Sequence, residues 1–362
     1  MSGGLALSRP LLQWLRQSPA WPHLPAALRA RLAWQAGWGS LNARLSRALD
    51  RSAADQPGLL DPVFIVGPWR SGTTVMHELL SAATGFSTPH TWQCMNACAF
   101  QLGTPRAATV ALARPMDGLE IRHDSPQEDE FALLTLGMAS AYRAFWMPQR
   151  IGQLHDTLSP AYWLAEPHWL PVWEAFLRGV LRSHGAAARQ PLILKSPNHT
   201  YRLPAILRRF PAARVVWMAR SAGDVLASNR KMWRAMFDAH GLTPSDGVAL
   251  EAFLSTALSR AAQVLEWCGE HLPPEQWCVI RHEALLAAPK ETVHSAYQHL
   301  FGGQAIDGAA LERAVAATAK GRVARYGTVR DLGPVAESAM RQLDEAQDSA
   351  VSRFARGPSL KH

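Results

Sequence analysis

Two textures divide the chain. Up to about residue 56, Leu24, Leu28 and Leu32, then Leu41, Leu45 and Leu49, recur every four residues among Ala, Arg and Trp, the spacing of one helix face. The pattern predicts amphipathic helices broken at Pro19, Pro22 and Pro25, and again at Gly37 and Gly39. From Pro62 onward, short apolar or β-branched runs alternate with helical patterns: PVFIVG at 62, PLILK at 191, ARVVWMA at 213 and QWCVI at 276. That alternation predicts an α/β domain built on a parallel sheet. More than a hundred residues separate the first two runs, too many for a simple crossover, so a helical insertion at about 95–190 is expected. The expected organisation is an N-terminal helical segment at 1–56, the α/β domain at 57–332, and a C-terminal helix and tail at 333–362.

Composition narrows the partners. A chain of 362 residues with 48% apolar side chains can bury a substantial core. Its 37 Lys+Arg against 29 Asp+Glu give a formal charge of +8, which favours anionic ligands. The arginines are scattered as on solvated helix faces, and nucleic-acid-binding signatures are missing, so nucleic acid is not the expected partner. Cys94, Cys98, Cys268 and Cys278 have neither disulfide-framework nor zinc-ligand spacing, which implies reduced thiols. The first apolar stretch is too short for a signal segment or a transmembrane span, and a cytoplasmic protein is expected.

The stretch FIVGPWRSGTT carries the chemistry. A strand, a glycine-rich turn and the amphipathic pattern TTVMHELLSAA follow one another, as a P-loop requires. Gly67 and Gly72 allow close backbone approach to an anion, the helix start offers unpaired N–H groups, and Ser71, Thr73 and Thr74 add hydroxyls. Arg70 can fork two donors onto an oxyanion. A Walker lysine is missing, Thr73 standing in its place, and no acid follows a strand closely enough to hold magnesium.

VGPWRSGTT resembles the 5′-phosphosulfate-binding loop of sulfotransferases that use 3′-phosphoadenosine 5′-phosphosulfate (PAPS), with Trp69 where a proline usually precedes the arginine. The resemblance implies a P-loop-like three-layer fold, a central parallel sheet flanked by helices. It implies PAPS as co-substrate, no metal, and a small-molecule, natural-product-like acceptor sulfonated on a hydroxyl or on an amine or amide nitrogen. The later segment VVWMARSAGDVLASN resembles the family's 3′-phosphate site, with Arg220 and Ser228 eight residues apart, and Asp224 is read as a helix cap. LKSPNH resembles the segment of bacterial and tyrosylprotein-type members in which Lys195 would stabilise charge on the departing phosphate. VIRHEALLAAP departs from the family's R-Y-E-D-L element at His282 and Ala284, and Glu283 is read as structural. Lys320 and Arg322, around Gly321, resemble the family's late turn on the 3′-phosphate.

Three candidates for the general base stay open: His90, Glu128 or Glu130 in the acidic run SPQEDE, and His199. Trp146, Trp163, Trp169 and Trp173 fit helical core packing better than an acceptor pocket, because Trp169, Trp173 and Phe176 recur at helical spacing. Two other classes compete: a P-loop kinase or NTPase with a degenerate Walker A loop, and a non-catalytic nucleotide-binding module.

Overall fold

The computed structural model describes residues 7–52, 58–102, 112–113, 120–185, 190–303, 305–319 and 333–355. Four of the strands form one parallel sheet at the positions the apolar runs predict: β1 (Val63–Val66), β4 (Ile193–Lys195), β5 (Arg214–Ala219) and β6 (Trp277–Arg281). Their order is β4-β1-β5-β6, with Ile65 beside Lys195 and Val216. Strands β2 (Leu112–Ala113) and β3 (Glu120–Ile121) make a separate antiparallel pair.

Alternation along the strands builds three layers. Phe64, Val66, Leu194, Val215 and Trp217 enter one core, and Val63, Ile65, Ile193, Val216 and Met218 enter the other. The second core is closed by α3 (Thr73–Thr84), α12 (Pro289–Phe301) and α13 (Gly308–Ala319). The first takes in the larger helical layer. It comprises α1 (Arg9–Arg16), α2 (Ala26–Ser52), α4 (Thr91–Met95), α5 (Glu130–Thr135), α6 (Pro160–Ala165), α7 (Trp169–His184), α8 (His199–Arg209), α9 (Ala222–His240), α10 (Gly247–His271) and α14 (Pro334–Ala355). The short α11 (His282–Ala287) follows β6 directly.

Helix α10 has the length and hydropathy of a membrane span, yet Leu250, Phe253, Leu254, Leu258 and Leu265 along it are buried in the core. One expectation fails in α2, which runs unbroken through Gly37 and Gly39. Gly39 is there for contact: a Cβ would stand 2.2 Å from the Leu7 carbonyl oxygen, so only glycine lets the N-terminal segment cross the helix so closely. Trp163, Trp169 and Trp173 are all buried, as core packing requires.

Candidate active site

The loop between β1 and α3 is held in a conformation that few residues adopt. Gly67 has φ +131°, Gly72 +99° and Arg70 +71°, the latter unique among the described non-glycine residues. A Cβ on Gly67 would lie 2.5 Å from the Met218 carbonyl oxygen, and one on Gly72 would lie 2.6 Å from the His282 ring. The Thr200 hydroxyl bridges the loop's first residue, accepting from the Gly67 N–H and donating to its carbonyl, both at 2.9 Å. Ser71 spends its own hydroxyl on the Pro68 carbonyl at 2.8 Å, so it shapes the loop from a fully buried position.

Trp69 explains the departure from the family's proline. Its ring is buried between Tyr201 and Trp233, both at 5.6 Å, and Phe253 at 6.1 Å. Asn229 donates to its carbonyl at 2.8 Å. With Trp69 anchored in the core, Arg70 is forced outward. A left-handed φ costs a non-glycine residue about 1–2 kcal/mol, and such strain persists only where the surroundings impose it. Here they do: Arg70 Nε donates to Ser228 Oγ at 3.0 Å, and its carbonyl accepts from Arg220 Nη1 at 3.0 Å.

Tertiary structure thus joins Arg70, Arg220 and Ser228, which lie up to 158 residues apart. The start of α9 is held differently from the sequence expectation. Asp224 does not cap the helix; it lies 3.6 Å from Arg220 Nη2, while Asp344 on α14 accepts from the Ala222 N–H at 2.8 Å. Burial raises the Asp344 carboxyl above its usual value. Gln347, one turn on, exchanges two hydrogen bonds with the Arg220 backbone, at 2.8 and 3.1 Å.

Lys195 ends β4, is 3% exposed, and points its ammonium at two oxygens: Glu128 Oε1 at 2.7 Å and Thr74 Oγ1 at 3.3 Å. The acidic run docks as a unit onto the end of β4 and the start of α8, each acid taking a different partner. Glu128 meets Lys195. Asp129 accepts from Trp173 Nε1 at 2.6 Å and pairs with His199 at 2.9 Å. Glu130 clasps the Arg202 guanidinium through both oxygens, the Nη2–Oε1 contact being 3.1 Å, and that guanidinium lies 4.1 Å over the Trp163 ring. Burial alone would raise the Asp129 carboxyl, but the charge and hydrogen bond of His199 together with Trp173 hold it below its usual value.

These contacts separate the candidate bases. Glu130 and His199 are fully enclosed and committed to structural pairs. His90 has its ring 5.0 Å from that of His184, its backbone N–H donating to Gln93 Oε1 at 2.7 Å, and its pKa lowered by burial. Glu128 is the acid that the fold sets against Lys195, with 12% of its side chain exposed. Its other oxygen accepts from the Tyr142 hydroxyl at 2.7 Å, and burial lifts that phenol well above its ordinary value, so it stays a donor. His77, on α3, has its pKa lowered to about 3, mainly by burial and then by the charge of Lys195; its Nε2 lies 2.6 Å from Thr88 Oγ1.

Sequence reasoning missed Tyr142, Thr200, Asp344, Gln347 and His77. None sits in a motif; each is defined by a contact across 11 to 133 residues of chain. Lys320 and Arg322 lie outside the described residues. Thr73 is buried at the first position of α3.

Chemically, the site offers two neighbouring groups of fixed donors. One is Lys195 with Thr74 and the free end of α3; the other is Arg70, Arg220 and Ser228. Both stand at the carboxyl ends of parallel strands, where open α/β sheets take ligands.

The omega-hydroxy-beta-dihydromenaquinone-9 sulfotransferase Stf3 of Mycobacterium bovis is 29% identical over 243 residues, 66% of this chain and 62% of that protein. The chain therefore matches less than two thirds of that relative's length, and the Mycobacterium tuberculosis protein of the same name gives the same figures. The crystal structure of sulfotransferase STF1 from Mycobacterium tuberculosis H37Rv superposes with a TM-score of 0.61 at 21% identity, covering 92% of this chain and 90% of that one. Sulfotransferase STF9 from Mycobacterium avium gives 0.62 at 16% identity, covering 94% and 89%. These two likenesses show a common fold. The model of the sulfotransferase family matches residues 62–302, or 241 of the 362 residues, and the chain belongs to that family.

Proposed function

We propose that the protein transfers a sulfuryl group from PAPS to a hydroxyl of an apolar small molecule. The observation that carries the reading is the paired donor set: Lys195 and Thr74 beside the start of α3, and Arg70, Ser228 and Arg220 across the loop. A donor with two separated anionic groups fits such a set, and an arginine inside the loop suits a phosphosulfate better than a magnesium-bound triphosphate. PAPS would supply an activated sulfuryl group on a phosphate leaving group.

The chain's residues then have distinct tasks. The α3 N–H groups and Thr74 hold the 5′ end, Arg220 and Ser228 hold the 3′-phosphate, and Arg70, part of the loop yet bonded to Ser228, serves both. Lys195, nearly dry at 3% exposure, neutralises charge as it grows on the leaving oxygen. Glu128 accepts the proton of the acceptor hydroxyl, and Tyr142, donating to its second oxygen, fixes the carboxylate's orientation. Before the donor arrives, the Glu128–Lys195 pair keeps both buried charges compensated. Support for a hydroxyl on an apolar scaffold comes from the relative whose name specifies an omega-hydroxy menaquinone.

Calorimetry with 3′-phosphoadenosine 5′-phosphate against magnesium-ATP, followed by transfer of labelled sulfate to hydroxylated apolar acceptors, tests the reading. Micromolar binding of the former without magnesium, with label recovered in a sulfate ester, is expected. Preference for magnesium-ATP would overturn it in favour of a kinase or NTPase, and binding without transfer to any acceptor would leave a nucleotide-binding module.

A further inference from the structure

Helix α2 has two apolar faces, and the body of the protein uses one of them. At about 100° per residue, Ala36, Gly39 and Ser46 fall on one side. Ala36 is fully buried, Gly39 lies against the Leu7 carbonyl, and Ser46 donates to the Cys98 carbonyl at 3.3 Å. Trp34, Trp38, Leu41 and Leu45 recur at steps of four, three and four on the opposite side, within an arc of about 60°. They are 69%, 56%, 47% and 48% exposed. The two indoles stack, with centroids 6.4 Å apart and 1° between their planes, so they stand together on this face.

Charge flanks this stripe. Two of the arginines of α2 stand beside it, Arg31 and Arg44. Arg31 and Arg44 are exposed, and their positions fall about 60° and 80° to either side of Trp34. The chain as a whole carries +8. An apolar strip bordered by cations, with amphipathic indoles at its centre, is the composition of a helix that lies in a lipid headgroup layer. A second copy of the chain fits less well. The stripe offers roughly 400–500 Å² of side chain, against about 800 Å² per partner in a stable interface, and paired arginine borders would repel.

We propose that this face of α2 docks the protein on an anionic membrane surface, the indoles at headgroup level and the arginines against lipid phosphates. The docking rests on the helix alone and does not depend on which donor the active site takes. Neither Trp34 nor Trp38 touches the residues assigned to that site, so their replacement leaves nucleotide binding intact.

Cosedimentation of the full chain with large unilamellar vesicles tests the proposal. The chain is expected to partition onto vesicles containing about 30% phosphatidylglycerol and to leave them as salt is raised, with little binding to pure phosphatidylcholine. The double variant Trp34→Ser/Trp38→Ser should lose at least about tenfold in partitioning, and Arg44→Glu several-fold, while the thermal melt and 3′-phosphoadenosine 5′-phosphate binding hold. Equal sedimentation of the double variant, or none of the parent chain on either vesicle, would overturn it. So would a dimer in sedimentation velocity that the same pair of substitutions dissolves, because the stripe would then be a contact between copies.

Discussion

Lys195 Nζ lies 2.7 Å from Glu128 Oε1, and the two residues come from segments 67 positions apart that no local rule connects. The pair places a cation and a carboxylate at one point beside Thr74, at the start of the helix that follows the glycine-rich loop. The proposed mechanism gives the pair two roles, charge neutralisation on the leaving side and proton acceptance on the attacking side, and substitutions separate them.

Replacing Lys195 with Ala is expected to lower sulfuryl transfer by about 10²–10³-fold, the usual cost of losing one preorganised charge at a reacting centre. Affinity for 3′-phosphoadenosine 5′-phosphate, followed by calorimetry, should change far less, since the proposed nucleotide contacts of Arg70, Arg220 and Ser228 remain. Undiminished turnover would remove Lys195 from the mechanism.

Glu128→Gln should lower kcat by about 10²–10⁴-fold with an alcohol acceptor. A series of phenols of falling pKa distinguishes a base from a mere partner of Lys195: the deficit should shrink as the acceptor gives up its proton more readily. A deficit independent of acceptor acidity would return the base role to His90. Tyr142→Phe should lower kcat about tenfold with KM for the acceptor little changed, the loss of one hydrogen bond to a charged group.

Arg220→Ala is expected to raise the KM for PAPS by about 10–100-fold, with a smaller effect on kcat, because one charge-assisted contact is worth about 1.5–3 kcal/mol. Steady-state kinetics with PAPS varied at saturating acceptor provides the check. The Arg70 carbonyl would also lose its donor, so some relaxation of the loop is expected in the same variant.

Gly72→Ala should cost more than an ordinary loop substitution, since φ is +99° and the new Cβ would meet the His282 ring. Adding His282→Ala removes the collision and leaves the backbone strain, so denaturant melts of the double variant should recover part of the stability and no more. Gly67→Ala has no such rescue, because its obstacle is the Met218 carbonyl oxygen.

His77 gives a pH dependence with a definite sign. Its folded pKa, about 3, lies below the ordinary 6.5, so the unfolded chain binds the proton more readily. The contribution to stability is complete above pH 6.5 and is lost as pH falls from 6.5 towards 3, by up to about 1.4 kcal/mol per pH unit. His77→Gln, which keeps a polar partner for Thr88, should flatten the stability profile in that window when urea melts are compared at pH 7 and pH 5.

The four-stranded sheet was legible because each strand is a continuous apolar run between helical patterns, a signal that survives without knowledge of neighbours. The loop was legible because its glycines, arginine and hydroxyls are consecutive. In the acidic run, three adjacent acids look alike in sequence and differ only in what faces them: Lys195 at the end of β4, and His199 and Arg202 at the start of α8. The cap of α9 was misread because Asp224 has the right local position, and a residue 122 positions away from Ala222 supplies the carboxylate instead. The glycines of α2 were misread as breaks because sequence alone does not show what crosses a helix.

By itself, then, the sequence determined the periodicities, the parallel sheet and the order of the anion-binding loops, all consequences of interactions between residues near one another in the chain. Tertiary structure decided which acid meets Lys195, how Trp69 turns Arg70 towards Ser228, and which face of α2 is left outside, because each depends on side chains brought together only when the layers pack.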